Sequence, residues 1–186
     1  MGYADTGMRP TRSFLFRLYH HETGQPLSAP YGNSTYHPLG GQTVHHWFHG
    51  QETLYTKESF YQDIKQLIQF LHPGLLLIPS SLDFHGGHQT LAKVIQEIIE
   101  KDHLTLPVYS YLLHAGDDQA WPNREGNTYH RPESIPEAIW EKRILFTFSG
   151  KQAEQKKRRS GYLFPSSPPH QTDTLKVSLK KKNFFG

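Results

Sequence analysis

Apolar residues recur at helical spacing in a stretch near the middle of the chain. They repeat every three or four residues at Phe60, Ile64, Leu67, Ile68 and Leu71. This spacing places them on one face of a helix. Thr56 is a suitable N-cap and Pro73 a suitable stop, so the pattern predicts a helix between these two residues.

Two unbroken apolar runs and a second periodic segment follow that helix. LLLIP (75–79) shows no alternation, which is typical of a strand covered on both faces in a parallel sheet. The next segment has helical spacing, and PVYSYLL (107–113) indicates another strand. The periodic apolar positions between them are Leu91, Val94, Ile95, Ile98 and Ile99.

The order of these elements predicts an α/β fold. Helix, buried strand, helix and strand in succession indicate βαβ units with right-handed crossovers. We therefore expect a Rossmann-like, mostly parallel sheet flanked by helices. FLFRLY (14–19) is predicted to be an earlier strand, and the residues from there to about Thr56 form a long irregular excursion that borders a site or covers the core.

A further helix is predicted from about Ser134 to Phe148. Ile135 and Ile139 would face inward, with Phe146 as a weaker third position. The helix could continue through the basic run to Arg159, with Gly161 as its stop.

Composition fits one domain spanning residues 1–186, with an apolar fraction of only 35%. The chain has no cysteine, so a metal site would need His, Asp or Glu, and a cytoplasmic location is expected. No apolar run approaches the length of a membrane span, and the N-terminus has no signal-peptide pattern. The sequence leaves a homo-oligomer open.

Positive charge is concentrated near the C-terminus, although the net charge is only +3. Lys and Arg crowd into residues 151–161 and 179–186, so residues 151–186 are interpreted as a basic helix end and tail. Such runs could also neutralise phosphates on nucleic acid or an anionic surface. The motifs of the common nucleic-acid folds are absent, which disfavours a nucleic-acid partner.

His85 and His88 directly follow the apolar run 75–79. In open α/β sheets, ligands bind beyond the carboxyl ends of the strands, where these two residues are expected. His88 would lie in the first turn of the next helix, whose dipole opposes protonation of the imidazole. The pair could serve a metal or acid/base site, or consist only of polar turn residues. Asp83 could fix a histidine tautomer or cap the helix.

Other residues are candidates for the same site or for a second one. His114 ends the second predicted strand at the same sheet edge, whereas Asp117 and Asp118 fit an acidic turn better. Arg9 could meet a substrate from a loop. HHWFHG (45–50) offers aromatic faces suited to sugar stacking, although a loop packed over the sheet is the favoured interpretation.

The order of motifs resembles the LmbE-like or PIG-L-like zinc-dependent N-acetyl-sugar deacetylases. The segment DFHGGHQTLAKVI (83–95) is similar to that family's Asp-x-His-Pro-Asp-His-Arg segment, and GYADTGM (2–8) to its Gly-Tyr-x-Asp-Ser/Gly-Gly-Met/Leu loop. Four further similarities follow in the family's order, covering nearly the whole chain. They are residues 55–79, YSYLLHAGDDQAWP (109–122), IWEKRILFTFSGKQ (139–152) and VSLKKKNFFG (177–186).

The resemblance implies hydrolysis of an N-acetyl group on an amino-sugar conjugate, with zinc as cofactor. His88 would be a zinc ligand, and His85 would stabilise the oxyanion formed when water attacks the acetamide carbonyl. Asp5 matches the family's substrate-contacting aspartate. Asp83 is grouped with His85 as catalytic, and Arg9 and His114 with Asp5 as substrate-binding.

The sequence also departs from the family pattern. Gly87 stands where the family has aspartate, Gln89 where it has arginine and Gly150 where it has glutamine. The Ala-His-Pro-Asp-Asp-Glu motif, which supplies the other zinc ligands and the catalytic base, is absent. We therefore expect a domain incomplete at its N-terminus, with an impaired or lost activity. The alternative is a non-catalytic carbohydrate-binding or partner-binding protein with the same fold.

Overall fold

The computed structural model describes residues 1–4, 6–7, 9–37, 40–116, 124–125, 128–145, 155 and 178–181. Within these residues the helices are α1 (Phe14–Tyr19), α2 (Val44–His49), α3 (Lys57–Leu71), α4 (Gly86–Lys101) and α5 (Glu137–Trp140). The strands are β1 (Leu76–Pro79), β2 (Val108–Tyr111), β3 (Arg124–Glu125), β4 (Thr128–Tyr129), β5 (Ile144–Leu145) and β6 (Ser178–Lys181).

The predicted helix between Thr56 and Pro73 is confirmed as α3. The Thr56 hydroxyl accepts a hydrogen bond from the backbone N–H of Ser59, whose side chain in turn accepts from the Thr56 N–H. This reciprocal capping box fixes the start of the helix. The buried face consists of Phe60, Asp63, Ile64 and Ile68.

The central βαβ unit is also confirmed. β1 and β2 pair in parallel, with Leu76 opposite Val108, and the connection between them is α4. The inner face of α4 is formed by Val94, Ile95, Ile98 and Ile99, as the periodicity predicts. The fold is therefore α/β.

The remaining strands of the sheet are antiparallel. β6 lies between β2 and β5 in the order β1-β2-β6-β5 and runs antiparallel to both neighbours. Part of the predicted basic tail, Ser178–Lys181, is thus a strand of the main sheet. Among the described residues, the parallel arrangement that the sequence predicts holds for β1 and β2 alone.

The two faces of β1 are covered unequally. Ile78 is buried on the face that packs against α4, whereas Leu77 points to the opposite face and is 54% exposed. Pro79 shares the face of Leu77 and is buried at the end of the strand. The expectation of a strand covered on both faces is therefore wrong. An unbroken apolar run indicated burial, but α4 packs on one side of the strand.

The segment Phe14–Tyr19 is helix α1, so the predicted strand is wrong. The Ser13 hydroxyl caps it by accepting a hydrogen bond from the Phe16 N–H. Phe14, Leu15, Leu18 and Tyr19 are buried, which corresponds to one helical face packed against α4. The run is too short for its period to distinguish helix from strand, and tertiary packing decides between them.

The predicted helix from Ser134 to Phe148 is much shorter in the structure. α5 spans four residues, and β5 begins at Ile144. Ile135 is buried as expected, but the chain leaves the helix because Ile144 and Leu145 pair with β6. Phe146 and all of the basic run except Gln155 lie outside the described residues.

The core lies between α1, α3, α4 and the covered face of the sheet. The excursion between α1 and α3 is irregular except for α2, and it contributes Tyr55 to this core. In the part of the chain that the structure describes, no helix is both long and apolar enough to cross a membrane.

Candidate metal centre

Asp83 organises the turn between β1 and α4. Its side chain is fully buried, with Oδ1 accepting from the His85 N–H at 2.9 Å. Oδ2 accepts from the N–H groups of Leu113 and His114 at 2.8 and 3.0 Å. One carboxylate therefore joins the turn after β1 to the segment that follows β2.

The same contacts keep Asp83 ionised. Burial by itself would raise the pKa of this carboxyl group, but the His88 ring and three backbone N–H groups outweigh burial and lower the pKa below its usual value. A negative charge is thus held beneath the histidines.

His85 forms the N-cap of α4. Its Nδ1 accepts a hydrogen bond from the Gly87 N–H at 3.1 Å. Because Nδ1 accepts, the neutral ring carries its proton on Nε2. The helix start therefore holds His85 in the tautomer that carries its proton on Nε2.

His88 lies in the first turn of α4, as predicted, and its Nδ1 has an unusual environment. This buried nitrogen lies within ion-pair distance of Asp83 Oδ1, at 3.0 Å, but it forms no hydrogen bond among the described residues. A buried polar atom left without a partner requires an explanation. A bound cation would provide one.

His114 completes the cluster from the end of β2. Its ring centroid lies 5.4 Å from that of His88 and 5.8 Å from that of His85, and the His85 and His88 rings stack at 4.5 Å. One ligand atom each from Asp83, His88 and His114 lies within 4.8 Å of the others. These three residues form what we call the His88 cluster.

The donor set of the His88 cluster fits a divalent transition metal. Two imidazoles and one carboxylate oxygen are typical ligands of zinc and its neighbours, and three protein ligands leave a position for water or substrate. The feature of this structure that favours a cation is His88 Nδ1, which is buried, forms no hydrogen bond among the described residues and lies close to an ionised carboxylate.

The N-terminal segment lies directly against this turn. A Cβ on Gly86 would be 2.1 Å from the carbonyl oxygen of Pro10, so only glycine permits the contact. Gly86 therefore serves close approach of the protein's own backbone, rather than of a ligand. Arg9 precedes Pro10 and has partners of its own.

The structure brings four of the predicted site residues together. His85, His88, Asp83 and His114 converge, and Gln89 donates from its side-chain amide to the Asp83 carbonyl at 2.6 Å. Asp5, Asp117 and Asp118 lie outside the described residues.

A second group, not predicted from the sequence, comprises His45, His49 and Asp63. The two histidines are four residues apart on α2, and Asp63 lies on the inner face of α3. The spacing of His45 and His49 was a usable signal, but it required recognition of α2 as a helix. HHWFHG was instead interpreted as a loop.

Comparisons of the chain with protein-family models, with curated proteins and with solved structures found no match.

Proposed function

We propose that the His88 cluster is the zinc centre of a hydrolase that removes an N-acetyl group from an amino-sugar conjugate. The observation that carries the proposal is the buried Nδ1 of His88, which forms no hydrogen bond among the described residues and lies 3.0 Å from an ionised carboxylate. The resemblance to LmbE-like and PIG-L-like deacetylases supplies the reaction. We also propose that the chain has a Rossmann-like fold and acts in the cytoplasm.

His88 and His114 would hold the metal, with Asp83 Oδ1 as the third ligand. When bound, zinc lowers the pKa of water and polarises a carbonyl group. Asp83 has a second role, because its hydrogen bonds to His85, Leu113 and His114 fix both strand ends. Asp83 would therefore hold these two segments in position as well as bind the metal.

His85 would stabilise the developing oxyanion. Its Nδ1 is occupied by the Gly87 N–H, so the Nε2–H is the group that donates. Because the helix start already fixes the orientation of this donor, little energy would be spent on reorienting it during the reaction. Asp83 is the only carboxylate of the His88 cluster, so the proton-accepting base must come from outside the cluster.

Substrate would enter beside the N-terminal segment. Pro10 packs on Gly86 at the start of α4, so its neighbour Arg9 lies close to the turn that carries His85. Arg9 is therefore proposed to contact an acidic group of the conjugate, and Asp5 is proposed from the family resemblance to contact sugar hydroxyls.

The proposal is tested by acetate release from N-acetylglucosamine by the zinc-loaded chain. Replacement of His88 by alanine should lower the rate by about 100-fold or more. Replacing a residue that only hydrogen-bonds to a metal ligand already costs about 10- to 100-fold in activity, and removing a ligand itself should cost more. His85→Ala should lower the turnover rate while zinc stays bound. His20→Ala is the control, since His20 is exposed at the end of α1.

Two results would contradict the proposed deacetylase activity. One is full activity in the His88→Ala chain, and the other is a zinc-loaded wild type that releases no acetate. The second result would leave a metal site without this reaction.

A non-catalytic sugar-binding role is the second candidate, favoured by one observation. Trp47 is 53% exposed and packs edge-on against Phe70, whose ring is also exposed. Exposed aromatic rings provide stacking surfaces for sugars. Saturable binding of N-acetylglucosamine oligomers, lost in Trp47→Ala but kept in His88→Ala, would favour this role over catalysis.

A further inference from the structure

A second set of potential metal ligands lies between α2 and α3. His45 and His49 are one helical turn apart, and their ring centroids are 4.4 Å apart. Asp63 faces them from α3, and one ligand atom of each residue lies within 4.8 Å of the others. We call these three residues the α2–α3 cluster.

Asp63 is a fully buried carboxylate with both oxygens engaged. Oδ1 accepts from His45 Nδ1–H at 2.6 Å, and Oδ2 accepts from the Tyr3 hydroxyl at 2.8 Å. Burial raises the pKa of Tyr3, so the hydroxyl remains a neutral donor. Aspartate is rarely buried completely without a partner of opposite charge. His45 lies within ion-pair distance of Asp63 at 2.6 Å but is charged only when protonated, so a bound cation would supply the positive charge beside a neutral His45.

The second histidine is oriented by a polar neighbour on α3. His49 Nε2–H donates to the Gln66 side-chain oxygen at 2.8 Å. Histidines that bind metals commonly donate their other ring N–H to a carboxylate or carbonyl oxygen, which fixes the tautomer. Gln66 for His49 and Tyr3 for Asp63 thus resemble the outer partners of a metal site.

We propose that the α2–α3 cluster is a second transition-metal site, with zinc as the preferred ion. Zinc would take the place of the proton between His45 Nδ1 and Asp63, and one ring nitrogen of His49 would complete the three protein ligands. Ligand atoms of a tetrahedral zinc ion lie roughly 3.4 Å apart, which follows from bond lengths of about 2.0–2.1 Å. The three atoms therefore need only small side-chain rotations. Two nitrogens and one oxygen favour zinc over calcium or magnesium.

Zinc in this site would join α2 to α3. α2 has six residues, and a helix of that length is not stable without tertiary contacts. Two of its residues would share an ion with a buried residue of α3, so the metal would hold α2 in place. Trp47 and Phe48 lie on the same helix, and the exposed aromatic surface would be stabilised with it.

Zinc titration of the full chain, after removal of metal with a chelator, tests this site independently of the deacetylase. His49→Ala is the informative variant, because His49 is exposed and its loss should not prevent folding. His46→Ala is the matched control on the same helix. Its ring contacts Glu52 and lies outside the cluster.

We expect His49→Ala to bind one zinc fewer than the wild type, with the remaining zinc lost on further replacement of His88. The zinc-induced rise in melting temperature should be smaller in His49→Ala and unchanged in His46→Ala. The proposal is overturned if His49→Ala binds as much zinc as the wild type with the same affinity. Equal losses in the His46 and His49 variants would overturn it as well.

Discussion

At the scale of single residues, Asp83 determines the geometry of the candidate centre. It is buried, it accepts three backbone hydrogen bonds, and it lies 3.0 Å from His88 Nδ1. Hydrogen bonds to a charged acceptor are stronger than those between neutral groups. The two strand ends and the histidines are therefore held by one carboxylate.

Asp83→Asn should destabilise the metal-free protein by about 1–3 kcal/mol, because an amide cannot accept all three N–H groups. Chemical denaturation at pH 7 measures the change. Asp102→Asn is the control, since Asp102 forms a partly exposed ion pair with Lys65 and its replacement should cost less than that of Asp83. Equal losses in the free energy of unfolding for the two variants would show that the buried Asp83 hydrogen bonds stabilise the protein no more than an exposed ion pair does.

The sequence located these residues but not their contacts. His85 and His88 were placed at the end of a strand by the apolar run before them, and the structure brings His114 to the same edge through the parallel pairing of β1 and β2. Local spacing could not reveal that Asp83 accepts from Leu113 and His114, because these residues are about thirty positions away. Long-range hydrogen bonds of this kind leave no periodic signal.

At the scale of elements, the long periodic segments predicted helices correctly, whereas the short run FLFRLY (14–19) did not identify its element. α3 and α4 are long enough for their apolar faces to repeat several times. Phe14–Tyr19 has six residues, so its apolar run suits a strand or a helix equally well. Packing against α4 makes it a helix. α2 was missed for the same reason, since its histidines and aromatic residues have no clear apolar face.

Contact between the N-terminal segment and α4 depends on Gly86. Gly86→Ala would place a Cβ 2.1 Å from the Pro10 carbonyl oxygen, so one backbone segment must move. We expect a loss of about 1–3 kcal/mol, as for other overpacked sites. Chemical denaturation measures it, with Gly74→Ala as the control because a Cβ there meets no atom within 4 Å. A Gly86→Ala chain as stable as the control would contradict the contact.

At the scale of the whole molecule, one core joins the N-terminal segment, the excursion and the βαβ unit. Tyr55 is fully buried in this core, and its hydroxyl donates to the Gly2 carbonyl oxygen at 3.2 Å. Its ring contacts those of Tyr3 and Phe14. The irregular excursion thus contributes to the core, which agrees with one of the two roles expected for it.

Stability should fall at alkaline pH because of Tyr55. Burial raises the pKa of its hydroxyl from 10.0 to about 12. Between these values the unfolded chain loses a proton that the folded chain keeps, so the free energy of unfolding decreases as pH rises. Tyr55→Phe should reduce the proton difference between the two states by about one in this range. Denaturation curves at several pH values measure it. An unchanged slope in Tyr55→Phe would contradict the assignment.

The most direct test of the account is zinc binding by the wild type and by His88→Ala, measured by calorimetric titration of the metal-free full chain. We predict that His88→Ala binds one zinc fewer per chain, because His88 Nδ1 is a buried nitrogen that forms no hydrogen bond among the described residues and lies beside an ionised carboxylate. Identical stoichiometry and affinity in the two proteins would contradict it.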